Sequence, residues 1–241
     1  MGTGDLIVVA LVVGIGACVQ FLTGFGFSLI AVPLLALAID VRTASMLAAV
    51  LAMFTSTAQA WLGRELIDWA AVKRISGWGL LGTPAGLWLF QNGGERGLRL
   101  FLGVSTLILV ALLIRGIDLS RVSARADAIA GLAAGVLTTS INTNGPPMVF
   151  VLQTRRLTPQ AFRATITAAF VVLGVVGITQ RVYVGGMTDK VWRAMTVAPP
   201  SMLIGGLTGF RLRPRVDGPR FNRAIQALLV VAGVSAIASA L

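Results

Sequence analysis

Apolar runs of about 20 residues recur along the whole chain. This recurrence limits the fold more than any other feature, because such a run is the length an α-helix needs to cross a bilayer. Of the 241 residues 56% are hydrophobic and only 12% charged, against about 25% charged in an ordinary soluble domain. A barrel would instead show alternating strands of about 10 residues. The chain therefore reads as an all-α polytopic membrane protein with no room for a soluble domain. Only one acidic residue, Asp5, precedes the first run, and neither a basic segment nor a small-residue cleavage site accompanies it. That run is expected to be a mature membrane segment rather than a signal peptide.

Hydropathy and loop charges divide the chain into eight blocks, 5–39, 43–63, 70–91, 97–114, 126–154, 160–183, 190–210 and 221–241. Six have the length of a single span. The first and fifth are too long for one, and each is interrupted near its middle. Thr23-Gly24-Phe25-Gly26 breaks the first; the stretch from Thr138 to Pro147, with Thr139, Ser140, Asn142, Thr143, Asn144, Gly145 and Pro146 inside it, breaks the fifth. Irregular backbone at membrane depth must be buried in protein or line a watery cavity, because lipid cannot bond the freed N–H and C=O groups. Pro146 and Pro147 suit the first turn of a new helix, which Asn144 can cap. Such a half-helix would point the positive end of its dipole into the gap.

The two long blocks are related to each other. Gly16 and Gly26 match Gly135 and Gly145 at an offset of 119; Arg42, Gln59 and Asp68 match Arg163, Gln180 and Asp189 at 121; and Gly82-x-x-x-Gly86 matches Gly205-x-x-x-Gly209 at 123. Collinear matches within matching hydropathy predict a duplicated unit of about 120 residues, 1–118 and 119–241. Each unit would carry a broken or re-entrant hairpin, 5–39 or 126–154, followed by three spans. If each long block crossed once, the two faces would carry 9 and 11 Lys and Arg, which decides nothing. If each enters and leaves on the same side, the N-terminal face carries 6 and the other face 14. Only the second arrangement obeys the positive-inside rule; it makes the repeats inverted and puts both termini outside the cytoplasm.

Inverted halves would bring the two breaks together. The candidate binding residues are Gln20, Thr23, Gly24, Gly26 and Ser28 from the first half, and Thr139, Asn142, Thr143, Asn144 and Gly145 from the second. The plainer reading is that small and hydroxylated residues allow close helix packing, and it is preferred for Gly14, Gly16, Gly131 and Gly135. Intramembrane amides are costly without a partner, which favours a binding role for Asn142 and Asn144. Gln59 and Gln180 occupy matching positions and either reach a ligand or tie helices together. Arg42 and Arg163 stand at helix starts, where a cation opposes the dipole; they contact lipid headgroups or draw an anion inward. The cluster Arg211, Arg213, Arg215, Arg220 and Arg223 is read as a cytoplasmic topology anchor.

All 9 acidic residues fall in or near loops and no His is present. A cation pump or channel is disfavoured, because such sites use intramembrane acids or carbonyl rings. An uncharged, donor-rich site suits an anion. The net charge of +11 sits in short loops beside lipid rather than on a nucleic-acid face. No phosphate loop for ATP, no metal-ligand cluster and no acid–base pair within the spans is evident, so neither an enzyme nor a cofactor is expected. Cys18, the single cysteine, permits no intramolecular disulfide.

These residues resemble the sulfite exporter TauE/SafE family of membrane permeases. The resemblance rests on Gly16-Ala-Cys-Val-Gln20-Phe-Leu-Thr-Gly24-Phe-Gly26-Phe-Ser-Leu, and on Gly135-x9-Gly145-Pro146-Pro147 followed by Phe162-Arg163-Ala164-Thr165. It extends over essentially the whole chain. It implies a multi-pass protein of the cell (inner) membrane, a secondary transporter for export or uptake of a small sulfur-containing or carboxylic anion such as sulfite, sulfoacetate or a related organosulfonate, with export the expected direction. A passive anion channel and an accessory subunit of a larger complex are the alternatives, and a homo-oligomer is compatible with the sequence.

Overall fold

In a computed structural model, residues 2–115, 124–153, 155, 157–212, 230, 234, 237 and 238 are described. Among these residues the secondary structure is entirely helical: α1 (Thr3–Thr23), α2 (Phe27–Leu35), α3 (Val41–Leu62), α4 (Trp69–Asn92), α5 (Gly94–Arg115), α6 (Ala124–Ser140), α7 (Gly145–Gln153), α8 (Pro159–Tyr183), α9 (Asp189–Ala194) and α10 (Ala198–Leu212), with one 3-10 turn at Arg64–Leu66. Three helices, α1, α3 and α8, are long and apolar enough to cross a membrane by length and composition. The span expected over 190–210 is divided into α9 and α10. Pro199 and Pro200 account for the restart, since they fit a first turn but not a helix interior. Most of the span expected over 221–241 lies outside the described residues, as do Asp118, Asp217, Arg213, Arg215, Arg220 and Arg223.

Helix starts follow local chemistry. The Asp40 carboxylate accepts from Thr43 N at 2.9 Å, and Glu95 accepts from Val41 N at 3.1 Å, so two acids hold the start of α3. Asp68 caps α4 through Ala71 N at 3.0 Å, and Thr158 caps α8 ahead of Pro159. At the other pole, Arg99 donates to the Ala36 carbonyl at 2.8 Å, just past the end of α2, where a cation complements the dipole.

Both long blocks fold back on themselves. After α1, Gly24 and Gly26 take φ of 88° and 102°, and Phe27 returns against Gly16, so that a Cβ there would lie 3.2 Å from the Phe27 ring. After α6 the turn uses Asn142 at φ 57°, a residue type that tolerates the left-handed region. The base of this second hairpin is closed by Arg155 Nη2 on Asp127 at 2.7 Å, with Arg74 at 3.9 Å from the same carboxylate. Asp127 is almost wholly buried. Asp127→Ala is expected to cost about 2 kcal/mol, less than the 3–5 of a fully buried pair, because Arg155 retains some solvent. Thermal unfolding in detergent measures it, and Asp127→Glu should restore most of the loss.

Helix pairing is dominated by glycine. α4 crosses α6 with Gly79, Gly82 and Gly86 against Gly135, Leu132 and Val136, while α1 crosses α10 with Gly14 and Cys18 against Gly205 and Gly209. At both crossings backbone lies directly on backbone, as small residues permit in lipid. Outward faces are apolar: Leu11 on α1, Leu81 and Trp88 on α4, and Ile204 on α10 are all more than 60% exposed. Polar groups such as Gln20, Ser45, Thr83, Thr138, Asn142 and Thr167 are buried instead. This is the distribution a bilayer requires.

Contacts gather the loops at two ends. At one end Lys190 Nζ meets Asp40 at 2.9 Å, and Arg42 donates to the carbonyls of Phe90 and Gln91 at 2.9 and 2.8 Å. At the other, Asp68, Arg74, Asp127 and Arg155 cluster. Burial alone would raise the Asp40 carboxyl, but the hydrogen bonds from Lys190 and Thr43 hold it below its usual range.

Candidate functional site

The tips of the two hairpins meet. Asn142 Nδ2 donates to Ser28 Oγ at 2.7 Å, joining residues 114 apart in sequence. Gln20, on the last turn of α1, organises the first tip. Its Oε1 accepts from Phe27 N at 3.1 Å, satisfying an orphan donor at the start of α2, and its Nε2 lies 3.4 Å from the Gly24 carbonyl and 3.5 Å from Ser56 Oγ. In the second tip, Asn144 Nδ2 donates to Thr138 Oγ1 at 2.6 Å.

Between the tips lies a cavity of about 30 Å³, room for roughly two waters. Gln20, Gly26, Ser28, Asn142, Thr143, Asn144 and Gly145 line it, with Ser56 and Met53 from α3 and Phe170 and Gly174 from α8. Among the described residues no charged side chain borders it. Thr143 Oγ1 is buried there without a partner among the described residues. The first turns of α2 and α7 face it, so two helix N-termini add positive potential to a neutral lining rich in hydrogen-bond donors.

The remaining candidates fall elsewhere. Thr23 bonds its own hairpin, on the carbonyls of Val19 and Phe25. Gly24 abuts the Arg163 side chain. Thr139 Oγ1 donates to the Thr83 carbonyl at 2.8 Å, and Gln180 Nε2 to Thr83 Oγ1 at 3.2 Å; both tie neighbouring helices to α4. Gln59 and Arg163 line a second cavity, of about 300 Å³, at the Asp68 end, together with Phe21, Gly63, Gln160 and Phe210. A third, of about 780 Å³, opens at the Asp40 end and is lined by Asp40, Arg42, Thr43, Phe90, Val184 and Lys190 among others.

The three cavities share α3, and all three touch α8 or the residue just past its end. On α3 the lining runs from Arg42 and Thr43, through Ala49 to Ser56, to Gln59 and Leu62; along α8 it runs in reverse from Val184, just past the helix end, through Gly174 and Phe170 to Arg163 and Gln160. The α3–α8 seam thus carries a line of cavities from one end of the protein to the other, constricted in the middle. One charged residue on that seam escaped the sequence reading. Arg181, fully buried, stands two residues from the end of α8 and entered the count of basic residues on the two faces as if it were a loop charge; a charge inside a 25-residue helix was the available signal.

A scan against family models matches "Sulfite exporter TauE/SafE" over residues 7–236. No curated protein and no solved structure matches the chain.

Proposed function

Because the chain belongs to the sulfite exporter TauE/SafE family, a family of membrane transporters rather than enzymes, we propose that it exports a small sulfur-containing or organic oxyanion, such as sulfite or an organosulfonate, by alternating access about the two hairpin tips. The observation that carries this reading is the Asn142–Ser28 contact inside a cavity lined by both tips, with no charged side chain among its described lining residues. Neutral donors and two helix dipoles bind an oxyanion without holding it as tightly as a fixed cation would, which favours release.

The chain is then two inverted repeats, 1–118 and 119–241. The α4–α6 and α1–α10 crossings correspond when the halves are exchanged, which supports this arrangement. The Asp68 end is cytoplasmic, the Asp40 end faces out and both termini lie outside. Substrate enters from the Gln59–Arg163 cavity, is held between the tips and leaves past Arg42. The narrowness of the middle cavity favours a carrier over an open channel. Its partners are the anion and the surrounding lipid.

Proteoliposomes test this. Sulfite, sulfoacetate and acetate are offered in turn, and at least one is expected to show saturable flux and to accelerate counterflow of itself. Linear, non-saturating flux would favour the channel, and no flux of any anion would defeat the proposal.

A further inference from the structure

We propose that Arg181 forms a second anion station on the α3–α8 seam, between the middle cavity and the Asp40-end cavity, with Phe90 as its cover; this rests on the anion-transport reading above. The Arg181 guanidinium donates through Nε to the Gly177 carbonyl at 3.2 Å and through Nη1 to the Ser45 carbonyl at 3.3 Å. Its Nη2 is buried with no acceptor among the described residues. Among the described residues no carboxylate forms an ion pair with it. Two carbonyl dipoles do not neutralise a buried full charge, and a guanidinium keeps its charge at neutral pH. What completes it is an anion with an acceptor oxygen for Nη2, and a small oxyanion suits the planar fork.

Position ties this group to the path. On α3, Ser45 lies between Thr43 of the Asp40-end cavity and Ala49 of the middle one; on α8, Arg181 lies between Val184 and Gly174. At 1.5 Å per residue the station is about 6 Å along α3 from Ala49 and about 10 Å along α8 from Gly174. The Phe90 ring centre is 5.8 Å from the Arg181 guanidinium carbon, while Arg42 holds the Phe90 carbonyl from the cavity side. Phe90 thus contacts both arginines, the buried Arg181 through its ring and the cavity-lining Arg42 through its backbone carbonyl. An anion leaving the neutral middle site meets Arg181 first, then Arg42 once the ring swings aside.

The test uses the full chain in proteoliposomes with whichever of sulfite, sulfoacetate or acetate the wild type carries. Arg181→Met is expected to lower flux at saturation and raise KM by about tenfold or more, the scale of one lost charge-assisted hydrogen bond. Arg181→Lys keeps the charge without the fork and should recover part of both. Binding is read separately, as the anion-dependent rise in unfolding temperature of detergent-solubilised protein, which Arg181→Met should reduce and Arg181→Lys partly restore. An arginine that only staples α8 to α3 would alter stability equally with and without anion. If Arg181→Met does not fold, Phe90→Ala decides: removing the cover should speed anion entry from the Asp40 end severalfold. Wild-type flux through Arg181→Met, or an unchanged entry rate in Phe90→Ala, overturns the station while leaving the transport reading standing. A wild type that moves no anion overturns both.

Discussion

Gly135→Ala should cost the protein most of its folded yield, whereas Gly77→Ala, on the facing helix, should cost nothing. A Cβ at Gly135 would run into the carbonyl of Gly79, and a Cβ at Gly82 or Gly86 would meet the backbone of Leu132 or Val136 in the same way. A flexible side chain can swing away from such an intrusion. A carbonyl fixed in a helix cannot, so α4 and α6 must separate along their whole crossing. Overpacking costs about 1–3 kcal/mol where side chains absorb it, and more where backbone must move; about 4 kcal/mol is expected here. At Gly77 no described residue lies within 4 Å of the added methyl, and removing a mid-helix glycine gains about 0.5–1 kcal/mol. Monodisperse yield and thermal unfolding in detergent distinguish the two. Gly205→Ala, whose Cβ would meet the Gly14 carbonyl, should behave like Gly135→Ala if the two crossings are equivalent. Equal stability of Gly135→Ala and Gly77→Ala would remove this account of how the helices are held.

The helices and the two breaks were legible in sequence because each has a local cause. Asp40, Asp68 and Thr158 mark helix starts, Gly24, Gly26 and Asn142 supply left-handed backbone, and the prolines after Gly145 restart α7. The fold-back of each long block was inferred only through the basic-residue count. Which glycine packs on which carbonyl depends on the rotation of two helices about their axes, and periodicity within one helix does not determine that. For the same reason Gln59 and Gln180, matched in sequence, separate in space: one lines a cavity and the other holds Thr83. Seven of the thirteen candidate residues line the middle cavity, because they lie in the breaks or within a turn of them, where little knowledge of helix rotation was needed. Thr23 and Thr139 instead satisfy neighbouring backbone carbonyls, and Gly24 makes room for the Arg163 side chain. Arg181 was passed over because a charge near a helix end looks the same in sequence whether it turns outward to lipid headgroups or inward.

The largest functional effect is expected of Asn142→Asp, and its pH dependence is what makes it informative. Aspartate has the shape of asparagine and also tolerates the left-handed backbone of residue 142, so the turn should persist. What changes is the group facing Ser28 and the middle cavity: a donor becomes an acceptor, and when ionised it carries a negative charge. Two like charges about 4 Å apart repel by about 4 kcal/mol at an effective dielectric of 20, roughly a thousandfold in affinity for an anion. Burial resists ionisation, and protonation restores a donor. Anion flux through Asn142→Asp should therefore be nearly abolished at high pH and recover as pH falls and the carboxyl takes up its proton. Wild-type flux, measured in parallel with the protonation of the anion held in mind, sets the baseline. Asn142→Gly keeps the backbone and removes only the amide, so a loss of about tenfold without the added pH dependence is expected. Asn144→Leu should reduce flux by a similar factor, through the loss of its bond to Thr138. Transport through Asn142→Asp at the wild-type rate across the pH range would mean that the anion passes elsewhere, and that the meeting of the two tips is structural alone.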